Sequence, residues 1–234
     1  MVMNDNLYDY STGGLDDIRA DLVLNDMEKQ LIRQAGMVIQ CPKNYVLFSA
    51  GDVSDQVYLI ESGWVKIYRI SADGKRVTVG SIRGPGELVG MAETFLDIKR
   101  TCFAGTISKG SVVLLSKTKF MEIMTQNSFL TFKIINLLAA RMREAEAIIH
   151  EMVCSQALGR LATLLMKMGE RMGVHTKNGI KINIHLTHEE IASMVGISRQ
   201  TVTSALNTFK QEKSIAFEGR MIRINPDKLA KWLA

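Results

Sequence analysis

The chain has 234 residues, 47% hydrophobic and 23% charged, with three prolines and three cysteines; this composition excludes a collagen-like repeat, a Pro-rich disordered chain and a disulfide-stapled miniprotein. No charge-free apolar stretch reaches the ~18 residues of a membrane span, and the polar, acidic start from Met1 to Tyr10 lacks the basic and apolar parts of a secretory signal, so a cytoplasmic protein is expected. Net charge is +5, yet residues 1–154 carry 17 Lys and Arg against 18 Asp and Glu, while residues 155–234 carry 12 against 6; the whole basic excess lies in the last third and points that part towards a polyanion.

Leu15 to Ala35 reads as one or two short helices. From about Gln40 to Leu115 the pattern is short β-type runs broken by glycine turns. Tyr45-Val46-Leu47-Phe48 ends at Gly51-Asp52, and Val57-Tyr58-Leu59-Ile60 ends at Ser62-Gly63. Trp64 to Arg69 alternates apolar and polar, as a half-buried strand does, and stops at the hairpin signal Asp73-Gly74. Val77-Thr78-Val79, Cys102 to Ile107 and Val112 to Leu115 complete a series that fits an antiparallel barrel or roll.

The period changes between Ser128 and Cys154. Ile135, Leu138, Met142, Ala145, Ile149 and Met152 step by 3, 4, 3, 4 and 3, a heptad seam. Such a helix spans about 40 Å at ~1.5 Å per residue. The seam can pack on the chain's own roll or on a second copy in a parallel dimer. The dimer is favoured, because a small roll has little surface to cover so long a helix.

From Ser155 onward the chain reads as a small helical domain with a terminal hairpin. Ala157 to Met172 is amphipathic, and Ile180 to Ile184 alternates as a strand. Thr187-His188-Glu189-Glu190 is a capping box, and Gly196 ends the helix it opens. Ser198 caps a second helix, Arg199 to Lys210. A hairpin turns at Gly219, and Asp227 to Leu233 forms a last short helix. Residues 188–207 fit a helix-turn-helix. Ile191, Val195, Ile197, Val202 and Ala205 are apolar where two helices face each other, Ala192 is small at their crossing, and Gly196 suits a left-handed turn.

The second helix begins Ser-Arg-Gln-Thr, polar where a recognition helix meets base edges. Arg199, Gln200, Thr203 and Ser204 are the candidate base contacts. Arg199 has the reach for guanine O6 and N7, and Gln200 for adenine. Thr187, His188, Ser198, Thr201, Gly219 and Arg220 are the candidate phosphate contacts. Walker, HExxH and GxSxG motifs and clustered carboxylates are missing from the sequence, so an enzyme is not expected, nor a metal site.

From about Asp26 to Ile224 the chain resembles the cyclic-AMP-receptor and fumarate-nitrate-reductase-regulator (CRP/FNR) superfamily of bacterial transcription factors. Gly84-Pro85-Gly86-Glu87-Leu88-Val89-Gly90 and Glu189 to Lys210 carry the likeness. Glu189-Glu190-Ile191-Ala192 with Ser198-Arg199-Gln200-Thr201 looks closest to the carbon-monoxide-sensing haem branch. The resemblance implies an α+β architecture: a β-roll sensor (1–127), a dimerisation helix (128–154) and a winged helix-turn-helix (155–234). It implies a homodimer, a palindromic double-stranded operator and contact with RNA polymerase. Where the family's recognition helix presents Arg, Glu and a later Arg, this chain has Arg199, Gln200 and Ser204, so the usual half-site is in doubt.

The resemblance also places an effector pocket at Gly86, Glu87, Gly90, Met91, Arg100, Thr101, Met142 and Ala145. Arg100-Thr101 resembles the Arg-Ser pair that holds a cyclic-nucleotide phosphate in that family. However, Met91 replaces the Glu that meets the ribose, and Ala145-Glu146 replaces a Thr-Ser pair on the long helix, so cyclic AMP is disfavoured. Haem is disfavoured because Gly90 and Ala92 stand where that branch has Cys and His, and an iron–sulfur cluster because three scattered cysteines cannot supply four ligands. An unidentified small molecule near the methionines remains. The alternatives are a cyclic-nucleotide-responsive regulator, or a thiol switch at Cys41, beside Lys43, or at Cys102.

Overall fold

The computed structural model describes residues 22–233; the part of the expected first helix before Leu22 lies outside them. The chain orders as α1 (Asp26–Ala35), β1 (Met37–Cys41), β2 (Val46–Phe48), β3 (Gln56–Ser62), β4 (Val65–Ile70), β5 (Arg76–Thr78), β6 (Leu88–Val89), α2 (Met91–Leu96), β7 (Phe103–Thr106), β8 (Gly110–Ser116), α3 (Lys117–Gln126) and the long α4 (Ser128–Cys154). Then follow α5 (Ala157–Met172), β9 (Gly173–Thr176), β10 (Gly179–Ile182), α6 (His188–Val195), α7 (Arg199–Gln211), β11 (Ile215–Glu218), β12 (Met221–Ile224), α8 (Pro226–Leu229) and a 3₁₀ turn.

Two antiparallel sheets, β1-β8-β3-β6 and β2-β7-β4-β5, face each other as the roll. The apolar run in β3 does not alternate because both its faces are covered. Tyr58 and Ile60 point between the sheets with Phe48, Val65, Ala104 and Val112. Val57 and Leu59 point the other way, beneath Ile32 of α1, Phe120 of α3 and Leu130, Ile134 and Leu137 of α4. Strand β1 and helix α3 carry too short an apolar pattern to be read beforehand: β1 is an edge strand with Met37 60% exposed, and α3 buries only Phe120, Ile123 and Met124.

The last third has its own core. Leu161, Leu165 and Met168 of α5 meet Ile191 and Val195 of α6, Val202, Leu206 and Phe209 of α7, and Ile222 and Ile224 of β12. The sheet β11-β12-β10-β9 closes it, longer by β9 than the sequence pattern indicates. Ile82 and Ile107 of the roll join the same cluster, so this domain packs on the sensor, while its tie to α4 is polar, Lys167 to Glu151 at 2.8 Å.

Phe209 is fully buried, with its ring 5.2 Å from that of Trp232. Phe209→Ala is expected to lower stability by about 3–5 kcal/mol, measured as a shift of the urea midpoint followed by tryptophan fluorescence.

Candidate nucleic-acid interface and sensor site

The helix-turn-helix is set by local bonds. Thr187 Oγ1 accepts from the Glu190 amide at 3.1 Å, and Glu190 Oε2 accepts from the Thr187 amide at 2.7 Å. Gly196 takes φ 72°, and its N–H donates to Ala192 at 3.0 Å, which turns the chain between the helices. Ser198 Oγ accepts from the Thr201 amide at 3.0 Å and starts α7. Val202, Ala205, Leu206 and Phe209 point inward, leaving Arg199, Gln200 and Ser204 exposed on one face.

Two candidate contacts are engaged elsewhere. Thr203, read as a base contact, and His188, read as a phosphate contact, bond to each other (Nδ1 to Oγ1, 2.7 Å), and the Thr203 hydroxyl lies 3.0 Å from the Arg199 carbonyl. This pair stitches the two helices together, a tertiary contact between residues 15 apart that no local pattern reveals. At the hairpin tip Gly219 has φ 62° and Arg220 is exposed. The stem is braced by Arg223 and Lys181 on Glu218, at 2.7 and 3.3 Å, and these hydrogen bonds hold the Glu218 carboxyl below its usual range.

On α4 the two apolar stripes go to different places. Leu130, Ile134 and Leu137 are buried on the roll. The heptad seam faces away from it: Ile135 is 53% exposed, Met142 59%, Ile149 63% and Met152 45%. Ala145 is exposed too, but Leu138 is half-buried and packs against the roll-side core instead. Phe132, 67% exposed, extends the stripe towards the start of the helix, a position the sequence reading missed.

The expected effector pocket is not one cavity in the single chain. Met91 is sealed in the helix-covered core, whereas Met142 stands in the seam. Glu87 faces the DNA-side domain: its carboxylate accepts from Arg171 of α5 at 2.6 Å and from the Gly84 amide at 2.7 Å. Gly90, Arg100 and Thr101 do come together, around a residue the sequence reading passed over, Glu93. Glu93 Oε1 accepts from the Thr101 hydroxyl at 2.8 Å and its amide at 3.3 Å, and Arg100 Nη1 lies 3.7 Å from Oε2. Burial pushes the Glu93 carboxyl up, but Thr101 and Arg100 outweigh it and hold the group below its ordinary value. A carboxylate in the apolar stretch of α2, seven residues before an Arg, was the available signal. A cavity of about 130 Å³ lies instead between the roll, α4 and α5, with Ile82, Leu137, Ile148, Met168 and Met194 among its walls.

The thiols are placed against the switch reading. Cys41 is buried, and burial pushes its thiol up. Lys43 does not offset this, because its ammonium reaches the His185 carbonyl at 3.1 Å and Glu190 at 3.5 Å. Cys102 is pushed up to about 11, by burial first and then by the Glu93 charge. Only Cys154 is exposed. Among the described residues no helix is long and apolar enough to cross a membrane, and no group of three His, Cys, Asp or Glu is arranged to hold a metal.

A cyclic nucleotide-binding domain model matches residues 38–127, and a Crp-like helix-turn-helix model matches residues 159–232. The chain belongs to the CRP/FNR family of transcription regulators. It is an effector-gated, DNA-binding regulator of mixed helix and sheet. A CRP-like cAMP-activated global transcriptional regulator of Mycobacterium tuberculosis is 29% identical over 194 residues, spanning 82% of this chain and 86% of that protein. The anaerobic regulatory protein of Bacillus subtilis is 26% identical over 213 residues, 90% of this chain and 89% of that one. Among solved structures, FixK2 of Bradyrhizobium japonicum superposes with a TM-score of 0.74 at 21% identity, over 85% of this CRP/FNR chain and 98% of its own.

Titration of the native regulator with a disulfide reagent such as Ellman's is expected to give a single fast thiol, Cys154, with Cys41 and Cys102 reacting only on unfolding. A second fast thiol would contradict this placement.

Proposed function

We propose that this regulator acts as a homodimer on a palindromic operator and activates transcription in contact with RNA polymerase. Residues 1–127 take up the effector, 128–154 form the dimer rod and 155–234 read DNA. The exposed seam of α4 carries this reading: with the opposite stripe already buried on the roll, Ile135, Met142, Ile149 and Met152 need a partner surface, and a second copy offers the same stripe. A two-fold dimer carries two recognition helices, and two major-groove entries on one face of a duplex lie ~34–36 Å apart. Arg199, Gln200 and Ser204 would then meet base edges, with Thr187, Ser198, Thr201 and the wing at Gly219 and Arg220 on phosphates.

Gating follows from the bonds across the domain boundary. Glu87 with Arg171, the Thr78 and Ser193 hydroxyls at 3.1 Å and Lys43 with the His185 carbonyl all tie sensor to DNA-side domain. An effector that binds more tightly to one arrangement of these contacts shifts the population of DNA-competent dimers.

Arg199→Ala is expected to cost ~1–3 kcal/mol on a cognate site and to relax base choice at one position, read by competitive gel shift. Unchanged affinity and specificity would remove Arg199 from the base contacts. Ile135→Glu with Ile149→Glu is expected to give monomers in analytical ultracentrifugation and to abolish operator binding. A dimer that persists in the double variant would place the interface elsewhere.

A further inference from the structure

Arg100 is buried, with its side chain 1% exposed, at the point where β7 enters the roll. Its guanidinium lies over the Phe48 ring, 4.4 Å from the centroid, and donates to the Gly90 carbonyl at 2.5 Å and to the Gln56 carbonyl. Carbonyls satisfy N–H groups but do not neutralise a buried cation; a counter-charge is needed. The carboxylate beside it is Glu93, from a different element, α2. The same carboxylate takes the Thr101 hydroxyl and the Thr101 amide. A hydroxyl and a backbone N–H that donate to one carboxylate, with a guanidinium facing it at an ion-pair distance of 3.7 Å, are the kinds of group with which proteins bind phosphate.

We propose that Glu93 is a resident anion: the roll contains an oxyanion-binding site that the chain fills with its own carboxylate, shutting phosphate-bearing nucleotides out of it. The backbone is shaped for the cation. Gly90 has φ +87°, and a Cβ there would come within 3.0 Å of Arg100 Nη1, so the site admits the guanidinium only where a side chain is missing. The charge is already balanced. An incoming phosphate would bring a like charge against Glu93, whose side chain is only 9% exposed, and the exposed Thr101 would have to give up its bonds to Glu93 to receive it, although Arg100 Nε has no hydrogen-bond partner to surrender. A cyclic nucleotide-binding domain match over residues 38–127 therefore reports the roll and not the ligand. The gating molecule of the proposed regulator is one that does not anchor through a phosphate at Arg100.

The experiment is direct binding to the full-length chain, without DNA, so its failure is separate from any failure of the operator reading. Cyclic AMP and inorganic phosphate are titrated at constant ionic strength, with sodium chloride as control, by calorimetry and by thermal unfolding. The unaltered chain is expected to bind neither. Glu93→Ala is expected to unfold at lower temperature in chloride and to regain several degrees, saturably, in phosphate or cyclic AMP. Glu93→Ala with Arg100→Gln, which removes both charges, is expected to ignore both ligands. If Glu93→Ala is unfolded in chloride, refolding in phosphate is expected to restore the native circular dichroism. Saturable binding of cyclic AMP or phosphate by the unaltered chain overturns the proposal. A folded Glu93→Ala that binds neither ligand, or an unfolded one that phosphate does not rescue, also overturns it and reduces Glu93 to a structural ion pair.

Discussion

Helix α4 constrains the rest of the molecule because it is asked to bury two stripes. One stripe, Leu130, Ile134 and Leu137, closes the outer face of the roll beneath α1 and α3. Polar ties hold it there: Lys133 bonds Glu28 at 2.8 Å, and Arg141 reaches the Leu88 carbonyl at 2.7 Å. With that side fixed, the second stripe points outward from Ile135 to Met152 along the 27-residue helix. The far end of the helix, at Cys154, leads directly into the DNA-side domain.

The junction at that far end is polar, which suits an interface that has to change. Arg83 bonds Glu144 of α4 at 3.2 Å, Lys167 bonds Glu151 at 2.8 Å, and Arg171 bonds Glu87. Charge pairs of this kind are strong only in good geometry and lose much of their energy on small shifts, unlike an apolar core. The cavity beside them means that the packing there is incomplete. The apolar contacts of Ile82 and Ile107 supply the steady part of the adhesion, and the ion pairs supply its direction.

The chemistry inside the roll has the opposite character. Around Arg100 the partners come from α2, from β3 and from the turn before α2, and Nε alone is left buried without a hydrogen-bond partner. Burial first, and then the same Glu93 charge, raise the Cys102 thiol, so the carboxylate that faces the guanidinium also helps to quiet the neighbouring sulfur. Similarity of fold across regulators with different inputs is consistent with this, since the roll is a scaffold and a few residues decide what it accepts.

What the residues alone determined was local. The capping box at Thr187 and Glu190, the turn at Gly196 and the cap at Ser198 are bonds between residues one to five apart, and such bonds are written in short patterns. The heptad seam and the alternation in β4 are equally readable, because side-chain direction in a helix or strand follows from its period. The α+β architecture followed from these and from the family likeness. Only the tertiary structure decided which charges meet. Glu87 turning to Arg171, Glu93 to Arg100, and Thr203 to His188 join residues 7 to 84 positions apart. A sequence period carries no information about which buried cation finds which buried carboxylate; that choice is made by the cost of leaving either one unpaired once the core has closed around them.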